Sequence, residues 1–143
     1  MMTDPIYIGR RIFAGLLDYT LIVGFTYAYI IHYGEPNDDG SYSVTGLPGL
    51  VPPLLWFTMT VLTEQFLGAT IGNGIVGLKP VSDNEIKSKP TIAQSFKRHL
   101  PDIADMFFFG LVGILLIKNT PKRQRLGDLL AKTIVVRDFD KNP

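Results

Sequence analysis

Residues Ile12 to Ile31 read IFAGLLDYTLIVGFTYAYII, twenty residues with one charge, Asp18. At 1.5 Å per residue a helix of that length reaches ~30 Å, the thickness of a bilayer's hydrocarbon core. Few environments other than lipid accommodate such a run. Tyr27, Tyr29 and Tyr33 gather at its far end, where amphipathic rings favour a membrane interface. The run is too long for the apolar region of a signal peptide and no small-residue cleavage site follows it.

A second run, Leu47 to Leu67, is long enough to span again and carries Glu64 near its end. Pro52 and Pro53 remove backbone donors, so the regular helix is expected from near Pro53, after a kink or an extended approach. The third apolar segment, 103–117, has about fifteen residues. That length lies between a full span and a re-entrant element. The reading is an all-α membrane protein of two to three transmembrane helices in a single domain, 1–143.

Composition agrees. Charged residues make up 19% of the 143 and hydrophobic ones 46%, against ~25% charged in soluble domains. There is no cysteine and there are only two histidines, His32 and His99, which leaves no thiolate or histidine-rich metal site. A net charge of +1 without a nucleic-acid motif gives no reason to expect nucleic acid. No nucleophile–base pair falls among residues expected to be neighbours, so neither an enzyme nor a cofactor is expected.

Basic residues orient the chain. Two precede the first run (Arg10, Arg11), the loop 32–46 has none, 68–99 has five and 118–143 has seven. The amino terminus and the 68–99 loop are therefore expected on the cytoplasmic side of the membrane. A full third span would export the most basic segment, which favours a third segment that enters and returns.

Outside the runs, Thr91-Ile-Ala-Gln94 reads as a capping box. Leu78–Ser82 and Thr133–Arg137 look strand-like and are expected to pair as a short β ribbon. Gly68, Gly72, Gly74 and Gly77 suggest a tight interfacial turn without phosphate-loop spacing. Thr120-Pro121 has the signature of a helix start, so a cytoplasmic amphipathic helix is expected over 121–132, with Leu126, Leu129 and Leu130 on one face.

The acids inside apolar runs are the candidate site, because an ionisable group within a span costs ~2.5–3.5 kcal/mol by insertion scales. Arg11 lies seven residues before Asp18, about 700° of helical rotation, so both face nearly the same side. Antiparallel spans place Asp18 and Glu64 at similar depth. Asp102 and Asp105 stand at the start of the third segment, with Arg98 and the 121–132 helix nearby. Two uses remain open: Asp18 either bonds Arg11 or a backbone donor in a structural role or binds an ion, and Glu64 either turns into the layer or reaches water. Asp102 and Asp105 equally suit a helix dipole. The basic cluster 118–125 reads as an anchor for anionic lipid.

Arg11 and Asp18 in the first run resemble the bacterial RDD family, named for one arginine and two aspartates. Gly68-Ala-Thr70-Ile-Gly72 through Gly77-Leu78-Lys79 is similar to that family's T-x-G-K-x-x-x-G segment. Arg123-Gln124-Arg125-Leu126-Gly127-Asp128-Leu129-Leu130-Ala131, with Thr133-Ile-Val-Val136, is similar to its closing signature, and Asp128 matches the second aspartate. The chain departs at Asn73, where lysine is usual, at Pro80 within the strand, and at Lys132, where glycine is common. The resemblance implies a membrane protein, and some members of the family are linked to sodium/proton exchange. The expectation is a homo-oligomer in which Arg11, Asp18, Glu64, Asp105 and Asp128 form a polar cluster that binds a cation or proton. The rival reading is an adaptor or assembly factor that holds a protein partner through its cytoplasmic tail.

Overall fold

The computed structural model describes residues 7–84, 88–102 and 111–138. It is mostly helical, with two helices long and apolar enough to cross a membrane, Ile8–Tyr33 and Leu47–Leu67. The first, α1 (Ile8–Tyr33), ends where Gly34 donates its N–H to the Ile30 carbonyl at 2.7 Å. The polar loop then folds back as a two-residue hairpin, β1 (Glu35–Pro36) against β2 (Tyr42–Ser43). At this end the Tyr29 hydroxyl donates to the Pro48 carbonyl, 3.0 Å away, tying the first long helix to the start of the second.

The second long helix is composite. A 3-10 turn, Leu47–Leu50, leads into α2 (Val51–Phe57), a π-helical stretch follows at Thr58–Leu62, and α3 (Thr63–Leu67) completes it. The regular α-helix thus begins at Val51, close to the expected Pro53, and a 3-10 turn takes the place of the kink or extended approach. Pro52 and Pro53 occupy the first turn of α2, where backbone N–H groups have no helical partner and a missing donor is harmless. The π stretch has no counterpart in the sequence expectation. It breaks the 3.6-residue period and changes the side on which Glu64 emerges.

The glycine-rich stretch is more than a turn. It holds α4 (Ile71–Ile75), whose N-cap Thr70 hydroxyl accepts from the Asn73 N–H at 3.3 Å. Helix α4 lies across α1 at Gly72, where an added Cβ would sit 2.1 Å from the Ala14 carbonyl oxygen. Strand β3 (Leu78–Ser82) follows and pairs antiparallel with β4 (Thr133–Arg137), as the sequence expectation had it. The bonds from Asp83 N–H to Lys132 O and from Asp138 N–H to Gly77 O, both 2.9 Å, mark odd-numbered β3 positions as the hydrogen-bonded ones. Pro80, opposite Val135, thus occupies a non-hydrogen-bonded pair where no donor is needed.

Helix α5 (Ile92–His99) begins on the expected capping box: Gln94 N–H donates to Thr91 Oγ1 (3.2 Å) and Thr91 N–H to Gln94 Oε1 (3.0 Å). Within the third apolar segment, positions 103–110, including Asp105, lie outside the described residues, and α6 (Leu111–Asn119) is helical. The helix expected over 121–132 is shorter. Thr120 Oγ1 accepts from the Gln124 N–H at 2.7 Å, Arg123 takes a left-handed φ of 55°, and α7 (Leu126–Ala131) starts only after Arg125. Its Gly127 packs onto α5, since an added Cβ would meet the Arg98 carbonyl oxygen at 1.9 Å.

Candidate functional site

Where α1, α3, α5 and α7 meet, charged side chains replace an apolar core. Glu64 and Asp128 are wholly buried, Arg98 is 1% exposed, and His99 and Asp102 are 3% exposed. Isolated charges would not remain in such a place, because desolvation costs several kcal/mol per ion unless partners repay it. Each has them.

Arg98 is the hub. From the last turn of α5 its guanidinium pairs with both carboxylate oxygens of Glu64, the Nε contact being 3.3 Å. Its Nη1 reaches Asp128 Oδ1 at 3.2 Å. Asp128 also pairs with Arg11 from the foot of α1. Its Oδ2 accepts the Arg125 backbone N–H at 3.1 Å, the side-chain-to-N-cap half of a capping box. Arg125 in turn lies 2.8 Å from Asp102 Oδ1 and 3.7 Å from Asp128 Oδ1. Burial alone would push the Asp128 carboxyl up, but the guanidiniums of Arg11, Arg125 and Arg98 hold it well below the usual carboxylate range. Burial likewise works against the Arg125 charge, and Asp102 with Asp128 more than restores it.

His99 closes the other side. Its Nδ1 is 2.8 Å from Asp102 Oδ2 and its Nε2 3.1 Å from Glu64 Oε2. Ser95 gives Glu64 Oε1 a further hydrogen bond at 2.7 Å and accepts one from Gln65 Nε2 at 2.9 Å.

The structure thus brings Arg11, Glu64 and Asp128 together, as the sequence suggests, with three corrections. Arg11 does not pair with Asp18: it binds Asp128 and the Arg123 carbonyl, 2.8 Å away. Seven residues are about 10 Å along a helix axis, so facing the same side does not bring two side chains into contact. Glu64 does not reach water, because Arg98, His99 and Ser95 enclose it. Asp102 does more than meet a helix dipole, since it carries an ion pair with Arg125 and a bond to His99.

Asp18 stands apart. It is 7% exposed and its Oδ1 accepts the Gly72 N–H at 2.7 Å. It is the one buried carboxylate among the described residues that has no guanidinium partner. His99, Arg125, Ser95 and Gly72 escaped the sequence reading as site residues. Arg125, Gly72 and Gly127 lie inside the two recognised motifs, the only signal that pointed to them.

Two helices long and apolar enough to cross a membrane, gathered around a buried lattice of ion pairs, make this a small, mostly helical protein. The model of the RDD family matches residues 7–132, and the chain belongs to that family. No curated protein and no solved structure matches it.

Proposed function

We propose that the chain is a multi-pass protein of the bacterial inner membrane that moves an ion rather than catalysing a reaction, with Asp18 as the exchanging group. One contrast carries this reading: Glu64, Asp102 and Asp128 are occupied by guanidiniums, whereas Asp18 is buried in the first candidate span on a backbone amide. An ionised carboxylate within a bilayer is expensive unless compensated, so a proton or cation that neutralises Asp18 is strongly favoured there. Glu64 and Asp128 then serve as fixed anchors around the exchanging acid. The basic residues before α1 and in 68–99 support an amino terminus on the cytoplasmic side. Two spans do not enclose a pathway, so the reading requires a homo-oligomer.

The test is flux. Purified protein in proteoliposomes should dissipate an imposed proton or sodium gradient, and Asp18→Asn, inserted and folded to the same extent, should abolish that flux. Wild-type vesicles that stay tight would overturn the reading. Tight vesicles together with a stoichiometric protein partner captured on the tail would establish the adaptor instead.

A further inference from the structure

Helix α5 is built the wrong way round for water. Its inward side carries Ser95, Arg98 and His99, at 0%, 1% and 3% exposure. Its outward row, at i, i+4 and i+8, continues past its end as Ile92, Phe96 and Leu100, at 55%, 38% and 48%. A helix bordering water buries its apolar stripe and turns its charges outward. In lipid the preference reverses: outward apolar groups are at home, and charges must face one another inside.

Phe96 also extends an apolar surface that belongs to the second long helix. Its ring meets Trp56 edge-on at 6.1 Å between centroids and lies 6.2 Å from Phe57. Together with Leu50, Pro53 and Leu54 these side chains line an open groove of about 300 Å³ with almost no polar surface. The groove is continuous with the flank of a candidate span, and its walls offer hydrocarbon and aromatic faces.

We propose that α5 lies immersed in the bilayer and that a phospholipid acyl chain occupies the groove between Phe96 and α2. Three of the eight α5 residues are basic, so hydropathy does not find this segment. Its Arg98 and His99 are buried against acids within the protein, and only Lys97 points outward. A lysine stem can lie along apolar surface while its ammonium reaches the headgroups. Lipid thus covers the outer side of the helix that carries Arg98, the hub of the ion lattice. The proposal rests on membrane association and is independent of ion exchange at Asp18.

Trp56 is the chain's single tryptophan, which makes the test direct. In a Trp56→Phe background, Phe96→Trp and, separately, Leu100→Trp place one reporter on α5. Each variant is reconstituted in vesicles of phosphatidylcholine with brominated acyl chains and in unbrominated controls. Bromine should remove most of the emission from both reporters, with a blue-shifted maximum and little effect of aqueous iodide. Quenching by iodide and not by bromine would place α5 in water and overturn the proposal. Emission insensitive to both would mean that protein, such as a second copy, covers the row, and would overturn it equally. The two reporters separate a local packing defect from a wrong position, because a true lipid face quenches both.

Discussion

Arg11 and Asp128 stand 117 positions apart and form an ion pair that fastens the foot of α1 to α7. Asp128 shares its carboxylate with Arg98 and Arg125, so one acid joins three elements of the chain. Removing one partner of a buried pair leaves an uncompensated charge and costs ~3–5 kcal/mol. Asp128→Asn should therefore lower thermal stability in detergent severely. In a double-mutant cycle Arg11→Ala and Asp128→Asn should be coupled by ~0.5–3 kcal/mol, whereas Arg11→Ala with Asp18→Asn should be additive. Additivity in the first cycle would refute the pair.

Gly72 and Gly74 make a paired test of how α4 seats. An added Cβ at Gly72 collides with the Ala14 backbone and lies 2.9 Å from Asp18 Oδ2, while at Gly74 it meets nothing within 4 Å. Gly72→Ala should push α4 off α1 and break the amide bond to Asp18, seen as a lower Tm and faster proteolysis of the 68–78 stretch. Gly74→Ala should be neutral, or stabilising by ~0.4–1 kcal/mol through the unfolded chain. Equal effects of the two would contradict the close approach.

Lys132 caps α7 in the left-handed region, φ 52° and ψ 55°, a conformation that costs a side chain roughly 1–2 kcal/mol. Lys132→Gly should raise stability by up to about 1 kcal/mol, because glycine enters that region without a steric penalty. Lys132→Val should lower it. Thermal melts of the three proteins in one detergent decide the order.

Acid should unlock the lattice within a definite window. The folded Asp128 carboxyl is held below its ordinary value of about 3.9. A depressed folded pKa gives stability that is complete above the unfolded value and is lost as pH falls through the folded one. Melting temperature should thus be insensitive to Asp128 titration from pH 7 to about 4 and fall below that. In Asp128→Asn the starting stability should be lower and the acid-dependent loss smaller.

The long elements were legible because an apolar run of span length and a Thr-x-x-Gln cap each carry a local signal. The β ribbon is readable from its strand-like residues, Arg11 and Glu64 from charge in or beside apolar sequence, and Asp128 only through the closing signature, since alone it looks like an ordinary surface acid. What escaped depends on contacts between distant parts. Whether Arg11 takes Asp18 or Asp128 is decided by where α7 docks, and Gly127 sets that docking by its contact with the Arg98 backbone. The π stretch at Thr58–Leu62 defeats any fixed period. His99 gives no local signal, since Glu64, one of its two acids, lies 35 positions before it on another helix.

The separation between Arg11 and Asp128 has a consequence for how the protein is made. Asp128 leaves the ribosome after Arg11, Glu64 and Arg98, so the first helix must be committed to its place while its arginine still lacks its acid. Until α7 arrives, Arg11 has only headgroups or water to answer its charge, and Arg98 has Glu64 but not its second acid. Completion of the polar centre therefore belongs to the closing moments of synthesis, and a chain cut short before residue 128 would keep the Glu64 half of the lattice and leave Arg11 unanswered.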